Sequence, residues 1–144
     1  QNAGIAVIQT NDTENNIISL AQSQDYDAFF KEEILNRKLM IFPPYCDICM
    51  VYVQSSDAGV AYDTMNQVFA NVKQAVDGEY KDIKLIILGP APASVPKVNN
   101  KYRYRIIIKT KNSTRFREMI YAATDIKLKK DTYIGVDINP ETFI

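Results

Sequence analysis

The spacing of apolar residues changes character several times along the chain, and each change marks an element. Residues 46–55 (CDICMVYVQS) are apolar on both faces, which predicts a buried strand. Residues 57–76 then carry Ala58, Ala61, Met65, Val68, Val72, Ala75 and Val76 as a stripe at i, i+3 and i+7, the pattern of an amphipathic helix. A polar turn, DGEYKD, leads to a strand over 83–89 (IKLIILG) and a loop over 90–100 that three prolines make stiff and extended. Residues 101–110 (KYRYRIIIKT) read as a strand, KNST as a turn with capping residues, and 115–126 as a helix. Residues 132–138 close the pattern as a strand with Ile134, Val136 and Ile138 on one face.

The order strand, helix, strand, strand, helix, strand predicts an α+β fold, a ferredoxin-like split β-α-β sandwich (βαββαβ). Two helices cover one face of its sheet and leave the other open. Ahead of it, residues 4–10 (GIAVIQT) read as a buried strand with no partner of its own. Ile18, Leu20 and Ala21 begin a weak helical pattern. Residues 25–42 read as a helix capped by Asp25 or Asp27, stopped where Pro43 restricts Phe42, and the domain boundary falls near Pro43 and Pro44.

Charge changes this picture more than composition does. The 144 residues are 47% hydrophobic and 24% charged, an ordinary globular mixture that argues against disorder. No apolar run approaches the roughly 18 residues of a membrane-spanning helix, and the start lacks the basic region of a signal peptide. The net charge is zero, but up to Asp82 there are 12 acidic and 5 basic residues, whereas residues 83–117 hold 9 basic residues and no acidic one. A polyanion responds to such a local field and not to the total.

Period two sorts the basic strand. Tyr102, Tyr104, Ile106 and Ile108 point one way, toward the core; Lys101, Arg103, Arg105, Ile107 and Lys109 point the other. One reading of this charge is protection of an edge strand against pairing. The other is nucleic-acid binding, because solvated faces mix signs and single-sign fields steer ligands. Arg and Lys then neutralise phosphates while tyrosine stacks on bases. The candidate residues are Lys97, Lys101, Tyr102, Arg103, Arg105, Lys109 and Lys111.

Catalytic and metal chemistry is thin. Histidine is absent, no Gly-rich phosphate loop occurs, and the acids form no obvious pair. Cys46 and Cys49 form C-x-x-C, but zinc takes about four ligands, and on a strand these thiols face opposite ways, roughly 10 Å apart. A disulfide needs Cα atoms within about 7 Å. Two small core or half-core residues in a reduced cytosolic protein is the simpler reading.

Three stretches, DYDAFFKEEILNRKLMIFPPY, LGPAPASVPKVNNKYRYRIIIK and the terminal VDINPETFI, together resemble the C-terminal part of the PriA (primosomal protein N′) family of replication-restart helicases. The likeness spans nearly the whole chain in order. It implies a fragment of an ATP-dependent 3′-5′ DNA helicase that acts at abandoned replication forks. Residues 1–45 then correspond to the end of the second helicase lobe and a linker helix. Residues 46–144 correspond to a C-terminal domain that binds branched or single-stranded DNA, with a fold like that of a small-subunit ribosomal protein. The ATPase motifs and zinc-binding insertion lie outside this chain, so no cofactor is expected in it, and ATP, Mg and Zn belong to the longer proteins. The resemblance further implies a cytoplasmic location and, as partners, other primosome proteins and the acidic tail of single-stranded DNA-binding protein. Arg115 matches the arginine that meets that tail, whereas Met119 stands where some relatives carry a polar residue. A protein-docking module is accordingly the rival to a DNA-binding one. A small-molecule sensor is weaker, since nothing in the sequence predicts a pocket.

Overall fold

The computed structural model describes residues 4–142. They fall into two compact units, Gln1–Met40 and Ile41–Ile144.

In the first unit, residues 4–10 form no strand among the described residues: Ile5 and Val7 are 92% and 88% exposed. The expected strand is absent because no neighbouring strand supplies its hydrogen bonds, and β-branched residues do not hold an isolated strand in water. Two helices follow, α1 (Asn16–Ser23) and α2 (Tyr26–Leu39). The Asn15 side chain accepts from Ile17 N–H at 3.0 Å, and that of Asp25 from Ala28 N–H at 2.9 Å, satisfying donors that helix starts leave open. Gln24, with φ 55°, turns the chain between the helices. Neither helix buries a residue. α2 ends at Leu39, three residues before the expected stop, because Ile41 adopts φ 52° ahead of the proline pair.

The second unit is a four-stranded sheet carrying two helices. Its elements are β1 (Asp47–Ser55), α3 (Ala58–Asp77), β2 (Leu85–Val98), β3 (Lys101–Thr110), α4 (Thr114–Thr124) and β4 (Thr132–Ile138). The sheet runs β2-β3-β1-β4 with every pair antiparallel, the order of the split β-α-β arrangement. Cys49, Val51 and Val53 of β1 lie opposite Ile108, Ile106 and Tyr104 of β3 and Ile138, Val136 and Ile134 of β4. This helix-side layer meets Ala61, Met65, Val68 and Val72 of α3 and Phe116, Met119, Ile120 and Ala123 of α4, all buried. Each large side chain buried this way contributes roughly 1.5–3 kcal/mol. Asp57 and Ser113 cap α3 and α4, accepting from Val60 N–H at 2.8 Å and Phe116 N–H at 3.1 Å.

Strand β2 corrects the sequence reading. It does not stop at Gly89 but continues through the proline stretch to Val98, with register shifts after Leu88 and after Pro92. Pro90, Pro92 and Pro96 are tolerated because β2 is an edge strand, whose donors are needed on one side only. Gly89 adopts φ 104°, and a Cβ there would stand 2.9 Å from the Arg105 carbonyl oxygen. Asn99 and Asn100, with φ 48° and 59°, close a two-residue hairpin onto β3, since asparagine tolerates the left-handed region that such turns require.

Candidate nucleic-acid interface

The face of the sheet away from the helices is built by the alternate residues of each strand. β3 contributes Lys101, Arg103, Arg105, Ile107 and Lys109. Register sets Ile48, Met50, Tyr52 and Gln54 of β1 beside them, with Tyr133, Gly135 and Asp137 of β4 beyond. Among the described strand positions of this face, Asp137 is the one carboxylate against four cations. The odd–even sorting expected from the sequence therefore holds for β3, whose Ile106 and Ile108 are fully buried on the helix side. The edge-protection reading does not hold, because β3 lies inside the sheet between β2 and β1.

The expected site residues do not all share this face. Lys97 pairs with Tyr102 on the helix side, its ammonium 4.6 Å from the ring centroid. Tyr102 packs partly buried against the core, because residue 102 has the parity of Ile106 and Ile108. Lys101, Arg103 and Arg105 do lie together, and the Arg105 guanidinium donates to Ser94 Oγ at 2.9 Å across the irregular part of β2. Lys109 sits at the other end, its ammonium 3.7 Å from the centre of the Phe42 ring. There Ile48 is buried and lines a cleft with Pro43, Pro44 and Pro140. Beside Lys109, Lys111 and Lys84 line a second cleft of about 500 Å³. Lys84 was not singled out from the sequence, although it is the first base of the acid-free stretch.

The other end of the face holds two aromatic residues that sequence reasoning missed. The Tyr52 and Tyr133 ring centroids are 6.0 Å apart with planes at 50°. The Tyr52 ring covers Gly135: a Cβ on that glycine would stand 2.2 Å from Tyr52 Cζ. Tyr52 is half-buried and Tyr133, on the edge strand, is 53% exposed. Burial, then the adjoining Tyr133 and Asp137, push the Tyr52 phenol above its ordinary pKa, against the pull of Arg103. Placing Ile134, Val136 and Ile138 on one face already put Tyr133 on the other. The sequence signal was present there, but β1 is apolar on both faces and left Tyr52 unassigned.

Arg115 stands apart, at the start of α4. Its Nε donates to both carboxylate oxygens of Asp82, at 2.9 and 3.1 Å, and one terminal nitrogen donates to the Glu79 carbonyl at 2.7 Å. Its guanidinium lies 4.8 Å from the Tyr80 ring centre, and it holds the Asp82 carboxyl below the usual range. Met119, one turn on, is buried in the core.

The cysteines have structural surroundings. Cys49 is buried on the helix side, and burial pushes its thiol up to about 12. Cys46 precedes β1 and donates to the Ile41 carbonyl at 3.2 Å. Asn139 clamps the start of β1: its N–H donates to Ile48 O at 2.6 Å, its Oδ1 accepts from Ile48 N–H at 2.9 Å, and its amide donates to Asp47 at 2.9 Å. No helix among the described residues is long and apolar enough to cross a membrane.

Comparison with known proteins agrees with this architecture. The family model of the primosomal protein N C-terminal domain matches residues 38–141. The chain is 31% identical over 134 residues to the replication restart protein PriA of Thermotoga maritima, covering 93% of this chain and 17% of that protein. It is 26% identical to the Bacillus subtilis protein of the same name over 142 residues, and 26% identical to that of Borreliella burgdorferi over 141. Those matches cover 95% and 97% of this chain but 17% and 21% of the relatives. The chain thus spans about a fifth of the length of these relatives. With a family model matched across its whole sheet and both covering helices, the chain belongs to the primosomal protein N C-terminal domain family.

Proposed function

We propose that the Ile41–Ile144 unit is a DNA-binding domain of a replication-restart helicase and that it holds branched or single-stranded DNA on the open face of its sheet. One observation carries this reading: Lys101, Arg103, Arg105 and Lys109, half-buried, share one face of an interior strand with a single carboxylate, Asp137, among the described strand positions there. An interior strand has no free edge to protect, which favours a ligand over edge protection as the reason for this charge. Phosphates are a ligand of matching sign, and their contacts are sequence-independent. The Lys84, Lys109 and Lys111 cleft lengthens the cationic path at one end.

In this reading, unwinding with its ATP, Mg and Zn belongs to parts of the longer relatives beyond this chain, and the domain contributes grip at a cytoplasmic fork. Residues 1–45 belong to the end of a helicase lobe and its linker helix, consistent with α1 and α2 leaving Tyr26, Leu35 and Leu39 exposed. The test is fluorescence anisotropy with forked and single-stranded oligonucleotides over a salt series. Arg103→Ala with Arg105→Ala is expected to lower the slope of log K against log salt by about 0.7 per lost contact on single strands and about 0.9 on duplex. A salt-independent affinity, or an unchanged slope in the double variant, refutes the reading.

A second reading has its own observation. Arg115 already holds a carboxylate, that of Asp82, above the Tyr80 ring. The acidic tail of single-stranded DNA-binding protein would replace Asp82 there. Saturable binding of a tail peptide that is lost in Arg115→Ala and strengthened in Asp82→Asn supports this role; indifference to both changes refutes it.

A further inference from the structure

We infer that Tyr52 and Tyr133 form a base-stacking platform for single-stranded DNA, with Arg103 and Arg105 taking the adjoining phosphates. The inference rests on the DNA-binding reading above and adds to it the part of the nucleotide that the sheet recognises.

The rings lie on the same face as the cations, as the strand register requires: Tyr52 is opposite Arg105 on one side and Gly135 on the other, and Gln54 lies between Arg103 and Tyr133. Strands are spaced by about 4.8 Å, so the arginine row stands roughly 5 Å from the Tyr52 position and roughly 10 Å from that of Tyr133. A strand of nucleic acid running along β3 can then set its phosphates on the arginines and lean its bases over the rings. The absence of a side chain at Gly135 gives the Tyr52 ring a place to lie, since a Cβ would come within 2.6 Å of three of its atoms. Tyr133 stands beside it on the edge strand, 53% exposed.

The chemistry separates this ligand from its competitors. An acidic peptide would use the cations and leave the rings idle. Duplex DNA keeps the faces of its bases stacked inside the helix. Unstacked bases use both features, and exposed aromatic side chains on a sheet stack unpaired bases. The opposite end of the face is less suited: Ile48 and Met50 are buried there and Lys109 is engaged with Phe42.

The experiment compares two oligonucleotides of equal length, oligo(dT) and a fully abasic deoxyribose-phosphate strand, on the 144-residue chain. Tyr133→Ala is expected to weaken oligo(dT) binding by roughly 5- to 150-fold and leave the abasic strand unchanged. Tyr133→Phe keeps the affinity, and Tyr121→Ala, an exposed tyrosine of α4, changes nothing. The chain has no tryptophan, so Tyr133→Trp adds a unique reporter, whose fluorescence oligo(dT) quenches and the abasic strand does not. Equal affinity of wild type and Tyr133→Ala for oligo(dT) overturns the platform. If the paired Arg103→Ala and Arg105→Ala change still weakens both strands, the DNA-binding reading survives that result. If neither strand binds and an acidic peptide does, both readings fall.

Discussion

Replacing Gly135 by alanine tests the open face with one methyl group. The added Cβ would stand 2.2, 2.4 and 2.6 Å from Tyr52 Cζ, Oη and Cε1. Carbon atoms rest about 3.5 Å apart or more, so the ring has to move by at least about 1.3 Å. Its atoms are the tip of a half-buried side chain, so the ring shifts and the backbone stays. Overpacking costs about 1–3 kcal/mol, while exchanging a strand glycine for alanine returns about 0.5–1 kcal/mol, leaving a net loss of about 1 kcal/mol. Urea unfolding measures this. A double-mutant cycle isolates its cause: Tyr52→Ala removes the obstacle, so the double variant should lose about 0.5–3 kcal/mol less than the sum of the singles. Proton binding gives a second readout. Burial is the largest cause of the raised Tyr52 pKa, so displacement returns the phenol toward its ordinary value of about 10. A folded pKa above the unfolded one means stability is complete below about pH 10 and falls as pH rises through the folded value. Gly135→Ala should flatten that alkaline decline, judged against Tyr52→Phe. A variant more stable than wild type, with additive cycle energies and an unaltered alkaline limb, refutes the placement of the ring.

Three further outcomes follow from the same geometry. Asn139→Ala removes the two side-chain hydrogen bonds of the clamp at the start of β1, leaving the backbone one, and should cost about 1–3 kcal/mol in urea unfolding. Asn112 N–H, then Asn139 and Lys111, hold the Asp47 carboxyl below its ordinary pKa, so its stabilisation is present above about pH 4 and lost as pH falls through the folded value; Asp47→Asn should make the acid limb of the stability curve shallower. A thiol reagent at pH 8 should modify Cys46 slowly in the native protein and reach Cys49, with its thiol at about 12, only in denaturant.

How much of this was legible depended on whether a local rule had a single outcome. The α3 stripe of Ala61, Met65, Val68 and Val72 and the β3 alternation fit one period each, and both stand where the pattern put them. Residues 4–10 had strand composition but no partner, and composition alone does not supply hydrogen bonds. The proline stretch after Gly89 was read as loop because edge position, which makes proline acceptable in a strand, is a property of the assembled sheet. The site divides the same way. The arginines were visible as a run, whereas the Tyr52 and Tyr133 pair joins residues 81 positions apart and exists only through the β1–β4 register. Lys97 and Tyr102 are neighbours of the basic row in sequence but turn to the other side of the sheet.

Because β3 is held by a neighbour along both edges, its backbone owes little to the identity of the residues at 101, 103 and 105. A saturation library over this strand should show tolerance that beats every second codon: permissive for folding at those three odd positions and restrictive at 106 and 108. Substitutions at 101, 103 and 105 should then change the charge of this face without unfolding the sheet beneath it.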